Sequence, residues 1–200
     1  MNTKIINHSN NSSTFHYIPN FFSNLEQEQL FNYLENTNDF IPSPQFTNTI
    51  SRLQKWYQID KKYFCPLWKE RYPQWESFEL DSTIQTLVNK IQNVICTIPN
   101  INIPNINSCL INKYPNGKHF IAPHRDSIDS FGKEPTIINI SIGATRTLLF
   151  QNEHENFSFD LESGSLFIMS GYSQEHYLHS IKKSDCPNVR YSLTFREFIL

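Results

Sequence analysis

Two periodicities divide the chain. Before residue 100, apolar residues recur at helical spacing in two places, and from Ser108 onward they alternate with polar ones. Ser23-Asn24-Leu25-Glu26 reads as a capping box, with the Ser23 hydroxyl accepting from the third amide and Glu26 reaching back to the cap. Leu25, Leu30, Phe31 and Leu34 follow, so an amphipathic helix is expected over 24–36, with Pro42 and Pro44 ending that unit. Asp81-Ser82 opens a second helix with Ile84, Leu87, Val88, Ile91 and Ile95 on one face, and Pro99 and Pro104 close its exit. Short β-rich runs follow at 108–114, 119–122, 136–142, 146–151, 157–161, 164–169, 176–181 and 189–198, with turn signals at Asn116-Gly117 and Ser163-Gly164. Short strands with few helices among them predict a sandwich, jelly roll or small barrel.

Residues 46–78, between the two expected helices, are irregular, aromatic and basic, and include Arg52, Lys55, Trp56, Tyr63, Phe64, Trp68 and Trp75. Such a run serves either as a loop covering the core or as a surface that stacks exposed bases while Lys and Arg meet phosphates. Residues 1–13 are rich in Asn and Ser without the apolar stretch of a secretory signal, so a flexible leader is expected ahead of a single domain over 14–200.

Composition narrows the picture. The 200 residues are 38% hydrophobic and 14% aromatic, enough for a core and too much for an unstructured chain. A net charge of −2 lacks the basic excess of a dedicated duplex binder, so any nucleic-acid contact must come from a local patch. Cys65, Cys96, Cys109 and Cys186 are scattered, which argues for reduced thiols and against a zinc ribbon or redox pair. No stretch approaches the roughly 18 apolar residues of a membrane span. An intracellular protein, cytoplasmic or nuclear, is expected, with no membrane and no obligate protein partner indicated.

The last strand carries the first chemical signal. Alternation puts Arg190, Ser192, Thr194 and Arg196 on one face and Tyr191, Leu193 and Phe195 on the other. That polar face suits the wet side of an edge strand or the inside of a barrel, where two guanidiniums would need anionic partners. His124-Arg125-Asp126 sets a histidine and a carboxylate two apart, pointing the same way from an extended segment. A second histidine would complete the two-His, one-carboxylate set that suits non-haem Fe(II) chemistry. His176 and His179 both lie later in the chain, three apart, so on a strand only one of them points inward.

With His124-x-Asp126, His179 and Arg190 in this order, the chain resembles the Fe(II)/2-oxoglutarate dioxygenases, and more narrowly the AlkB family of nucleic-acid demethylases. The likeness spans roughly 15–199. It rests also on Leu110 to Tyr114, Ser141 to Arg146 and Arg190 to Arg196, with a weaker echo of a substrate lid at Arg52 to Tyr57. The resemblance implies an α+β fold, a double-stranded β-helix (jelly-roll) core with N-terminal flanking helices. It implies His124, Asp126 and His179 as iron ligands, since Tyr177-Leu178-His179 matches the family's aromatic-x-His pattern better than His176 does. For 2-oxoglutarate it implies Arg190 as the clamp on the distal carboxylate, Tyr114 as a donor to it, Asn112 and Ser192 as further contacts, and Arg196 beside the metal-bound carboxylate. Cofactors would be Fe(II), 2-oxoglutarate and O2, and the substrate alkylated DNA or RNA. The base must be flipped or single-stranded to reach the iron, and the modest charge favours single strands.

The chain departs from the family at several places. Ser192 stands where relatives usually carry Asn. Ser127 and Ile128 occupy the positions where an acidic base reader is typical, with Asp129 one step later. Segment 46–78 is the expected recognition lid, with Tyr63 or Phe64 stacking on the base and Asp129 as a substitute reader. Two other readings keep parts of the signal: a 2-oxoglutarate hydroxylase or demethylase acting on protein or a small molecule, and a binding or iron-sensing module without turnover.

Overall fold

The alternation after Ser108 builds two antiparallel sheets whose inner faces meet. This computed structural model describes residues 2–7, 12–42, 52–63, 66–99 and 101–199. The eight-stranded sheet runs, in spatial order, β1 (Asn2–Asn7), β2 (Ser12–Ile18), β10 (Ser165–Gly171), β7 (Ile137–Gly143), β12 (Arg190–Arg196), β5 (Ser108–Tyr114), β4 (Leu53–Gln58), β3 (Ile41–Pro42). The four-stranded sheet runs β6 (Ile121–His124), β11 (Leu178–Ile181), β8 (Arg146–Gln151), β9 (Asn156–Leu161). Phe15, Ile137 and Phe167 from the first sheet pack on Leu148, Phe150 and Ile181 from the second, which is the interior of the expected jelly roll.

The helices cover the outer face of the larger sheet. α1 (Asn24–Glu35) starts with the expected capping box, and α3 (Ser82–Ile95) with Asp81 accepting from the Ile84 amide at 2.9 Å. Leu30, Leu34, Ile84, Ile91 and Ile95 pack on Ile111, Ile138, Ile140, Leu193 and Phe195. Among the described residues the shorter α-helices are α2 (Pro66–Arg71), α4 (Ile128–Phe131) and α5 (Ser173–His176). The free thiols among the described residues are Cys96, Cys109 and Cys186.

Two expectations need correction. Asn2–Asn7, read as part of a flexible leader, is the edge strand β1, paired with β2 from Asn2 opposite Tyr17 to Asn7 opposite Ser12. Its anchors are apolar side chains hidden among Asn and Ser: Phe15 of β2 is fully buried between the sheets, and Ile6 packs on the same cluster. The segment 46–78 is not irregular throughout, because Leu53–Gln58 pairs with β5 in the larger sheet. Residues 43–51, 64 and 65 lie outside the described set, so Phe64 and part of the proposed lid do too.

β12 is central, not an edge, and every residue of it is buried. Gly143 helps to deliver it: at φ +91 it ends β7, and a Cβ there would meet the Val189 carbonyl at 2.5 Å, just before Arg190.

Candidate active site

The open end of the roll gathers the chemical residues. His124 ends β6 directly opposite His179 on β11, and their rings lie 4.2 Å apart. Asp126 follows two residues later, so that its Oδ1 is 3.7 Å from His124 Nε2 and 3.9 Å from His179 Nε2. One potential ligand atom from each of the three lies within 4.8 Å of the others. His124 Nδ1 sits 2.9 Å from the Ala122 carbonyl, which fixes its proton on that nitrogen and turns the Nε2 lone pair to the cluster. Burial lowers the His124 pKa and pushes that of His179 down to about 3, so both imidazoles are neutral at neutral pH. Burial alone would raise Asp126, but Arg196 and the two histidines outweigh it and hold the carboxyl low. Two neutral imidazoles and a carboxylate converging this way can hold a divalent metal on one face, leaving the other positions open.

His176 stands apart. It ends the helical turn α5, with its ring 6.3 Å from Tyr172. The expected strand 176–181 is a turn followed by β11, so His176 is excluded from the cluster by local structure, not by strand alternation.

Two neighbours hold Asp126. Arg196 Nε lies 3.0 Å from Asp126 Oδ2 in a buried ion pair, and its guanidinium stacks over Phe131 of α4 at 4.7 Å. Behind the backbone, Gln174 Oε1 accepts from the Asp126 amide at 2.8 Å, while its Nε2 contacts Met169 Sδ at 3.3 Å. No local pattern marks Gln174 in the sequence, since its partner lies on a different element.

Across the cavity, Arg190 is 1% exposed. Its Nη2 donates to Ser141 Oγ at 2.9 Å, but Nε and Nη1 are buried without a hydrogen-bond partner. Desolvation lowers its pKa to about 10, still charged at neutral pH. Tyr114, opposite Arg190 in the sheet, packs its ring 5.3 Å from the guanidinium carbon and backs the arginine instead of lining the cavity. Ser192 is neighboured by Asn139 of β7, whose Nδ2 donates to Ser192 Oγ and, at 3.2 Å, to Thr194 Oγ1. An amide side chain therefore stands beside Ser192 on the cavity wall, a neighbour visible only once β7 and β12 are paired. Asn112 Oδ1 accepts from Arg52 Nε at 2.8 Å and from Gln54 Nε2 at 2.9 Å.

The His124-Asp126-His179 cluster, Arg52, Asn112, Asn139, Arg190, Ser192 and Arg196 line one cavity of about 350 Å³. Trp56, Trp75 and Phe131 give it an aromatic wall. Two of the residues expected to meet the substrate lie elsewhere. Tyr63 is outside the lining, its hydroxyl donating to the Pro73 carbonyl at 3.1 Å. Asp129 is exposed on α4 and also outside it. The basic-aromatic segment does reach the cavity, but through Arg52, Gln54, Trp56 and Trp75.

This architecture and cluster define a non-haem iron oxygenase, and comparison with known proteins agrees. Residues 14–196 match the 2OG-Fe(II) oxygenase superfamily, and the chain belongs to that family. Its curated relatives are AlkB homologues. It is 27% identical over 116 residues to the DNA oxidative demethylase ALKBH2 of Arabidopsis thaliana, covering 45% of this chain and 37% of that protein. It is 30% identical over 158 residues to human alpha-ketoglutarate-dependent dioxygenase alkB homolog 3, covering 72% of this chain and 51% of that one. The chain therefore spans about half or less of these relatives' length. In fold, the solved structure of OsALKBH1 superposes with a TM-score of 0.66 at 15% identity, covering 92% of this chain and 97% of that one. No helix among the described residues is long and apolar enough to cross a membrane.

The family uses Fe(II), 2-oxoglutarate and O2, and the residues fit those groups. The unpaired N–H donors of Arg190 suit a carboxylate, and the converging Nε2 atoms and Asp126 suit the metal. Gln174→Leu is expected to lower metal affinity about 10–100-fold, because hydrogen bonds behind a ligand fix its orientation. Gln174→Glu keeps an acceptor and is expected to recover most of it, as read by calorimetric Mn(II) titration.

Proposed function

We propose that the chain is an Fe(II)/2-oxoglutarate-dependent dioxygenase that acts inside the cell and removes alkyl groups from the bases of DNA or RNA, favouring single strands. The observation that carries the oxygenase reading is the buried, half-unpaired Arg190 facing the His124-Asp126-His179 cluster across one cavity. His124, Asp126 and His179 hold the iron. Arg190, backed by Tyr114 and Ser141, takes the distal carboxylate of 2-oxoglutarate as a fork. Asn112 has its oxygen engaged by Arg52 and Gln54, so its amide N–H groups face the co-substrate. Arg196 keeps Asp126 ionised and aligned. When bound, Fe(II), 2-oxoglutarate and O2 would supply the oxidative hydroxylation of an N-alkyl carbon, one oxygen atom going to that carbon and the other to the succinate formed with CO2; a hydroxylated N-methyl group is lost as formaldehyde.

The nucleic-acid part rests on the aromatic wall and on the names of the relatives. Trp56, Trp75 and Phe131 offer flat apolar faces to a base, and Arg125, directly after His124 and exposed at the cavity lining, is placed for a phosphate. The test is formaldehyde release from oligonucleotides carrying one N-methylated base, measured beside 2-oxoglutarate consumption. Consumption of 2-oxoglutarate with no oligonucleotide turned over would sink the nucleic-acid reading and favour a hydroxylase of protein or small molecules. Trp75→Leu is expected to weaken oligonucleotide binding about 5–150-fold, the range of one base–aromatic stack, in a fluorescence anisotropy titration.

A further inference from the structure

The cavity has an unusual charge balance. Four arginines line it, Arg52, Arg125, Arg190 and Arg196, against a single carboxylate, Asp126. No Asp or Glu side chain occurs among the residues outside the described set, so none of the chain's acidic side chains is overlooked. Asp126 is committed to Arg196 at 3.0 Å. Asp129, the one acidic residue nearby in sequence, is exposed on α4.

Loading the site does not change the sign. The two charges of Fe(II) and the two of 2-oxoglutarate cancel, and Asp126 cancels Arg196. The net charge of the lining stays positive, with Arg52 and Arg190 within the wall and Arg125 at the mouth. A base entering this cavity meets N–H donors from Arg52 and Gln54 and finds no carboxylate to accept from it or balance it.

Alkylated bases divide by charge. Adenine methylated at N1 and cytosine methylated at N3 carry a fixed positive charge and present amino donors. Thymine or uracil methylated at N3 and guanine methylated at N1 are neutral, with carbonyl acceptors beside the methylated nitrogen. We propose, building on the nucleic-acid reading above, that the substrates of this site are the neutral N-alkylated lactam and imide bases and that the cationic ones are rejected. Arg52 is the specificity-determining residue: held by Asn112 at 2.8 Å, it repels a cationic ring and donates to a carbonyl oxygen.

The test uses four otherwise identical single-stranded oligonucleotides containing 3-methylthymine, 1-methylguanine, 1-methyladenine or 3-methylcytosine. Their affinity is read by anaerobic anisotropy with the Fe(II)- and 2-oxoglutarate-loaded protein, and their turnover by mass spectrometry. The neutral pair is expected to exceed the cationic pair at least about ten-fold, since like-charge juxtaposition costs several kcal/mol at an interface. Ser127 lines the cavity and caps α4, and Asp caps equally well, so Ser127→Asp installs a carboxylate without removing the cap. That variant is expected to shift the ratio towards the cationic bases about ten-fold. A wild-type preference for the cationic pair, or a ratio that Ser127→Asp does not move, overturns the charge argument and leaves the nucleic-acid reading standing. Failure to bind or convert any of the four, while 2-oxoglutarate is consumed, overturns both.

Discussion

His179→Ala is expected to abolish iron-supported 2-oxoglutarate turnover, whereas His176→Ala should retain most of it. As the proposed ligands, the three side chains of the cluster would each give the metal one direct bond, so losing one is worth more than the roughly 10–100-fold typical of a supporting hydrogen bond. His176, three residues away in sequence, ends α5 outside the cluster. The pair therefore separates a ligand from a neighbour of the same chemistry. Calorimetry with Mn(II), which is redox-inert here, reads the metal directly, and thermal melting of the metal-free proteins checks that both fold. His179 is buried in its neutral form, so its truncation leaves no unpaired charge behind. Metal binding undiminished in His179→Ala, or lost in His176→Ala, would show the third ligand to be misassigned.

Much of this site is legible in the sequence because its residues repeat a local rule. On β12 alternation alone sends Arg190, Ser192, Thr194 and Arg196 one way and Leu193 and Phe195 the other, and the structure keeps that division between cavity and core. The helix caps at Ser23 and Asp81 were equally visible, since a cap is decided within four residues. What alternation could not say is which side is wet. A polar face on a central strand looks the same in sequence as one on an edge, and only the pairing of β12 with both β5 and β7 distinguishes them.

The residues that were missed depend on contacts between distant elements. β4 was hidden because both its faces are mixed: Gln54 and Trp56 face the cavity while Lys55 and Tyr57 turn away, so hydrophobicity does not alternate. Asn139 acts on Ser192 from a neighbouring strand, and Gln174 reaches Asp126 from a helical turn. The rings that line the cavity lie in the segment expected to form the lid, but they are not the rings expected to stack. Tyr63 lies beyond β4, bonded to Pro73, whereas Trp56 within the strand and Trp75 after α2 face the iron site. Net charge is equally silent about placement. The whole chain carries −2, yet the cavity is rich in arginine, because a sum over the surface says little about a buried wall.

Arg190→Lys is expected to raise the 2-oxoglutarate requirement about ten- to hundred-fold while leaving metal affinity nearly unchanged. A guanidinium offers donors in a fixed fork, and here one arm is already spent on Ser141 while Nε and Nη1 remain for a carboxylate. An ammonium on a flexible stem cannot hold Ser141 and meet both carboxylate oxygens at once. Losing one charge-assisted hydrogen bond costs about 1.5–3 kcal/mol, which gives the stated range. Burial adds to the loss, because desolvation at this position already pulls the arginine down to about 10 and would depress a lysine from a lower starting value. His124 and His179 lie on the opposite sheet, and among the described residues neither they nor Asp126 shares a hydrogen bond with Arg190, so Mn(II) titration should distinguish a lost clamp from a collapsed site. Loss of 2-oxoglutarate binding together with metal binding would point to misfolding, and a melting curve would show it. An unchanged 2-oxoglutarate requirement in a folded Arg190→Lys protein would move the clamp elsewhere, with Arg52 the next guanidinium along the same wall.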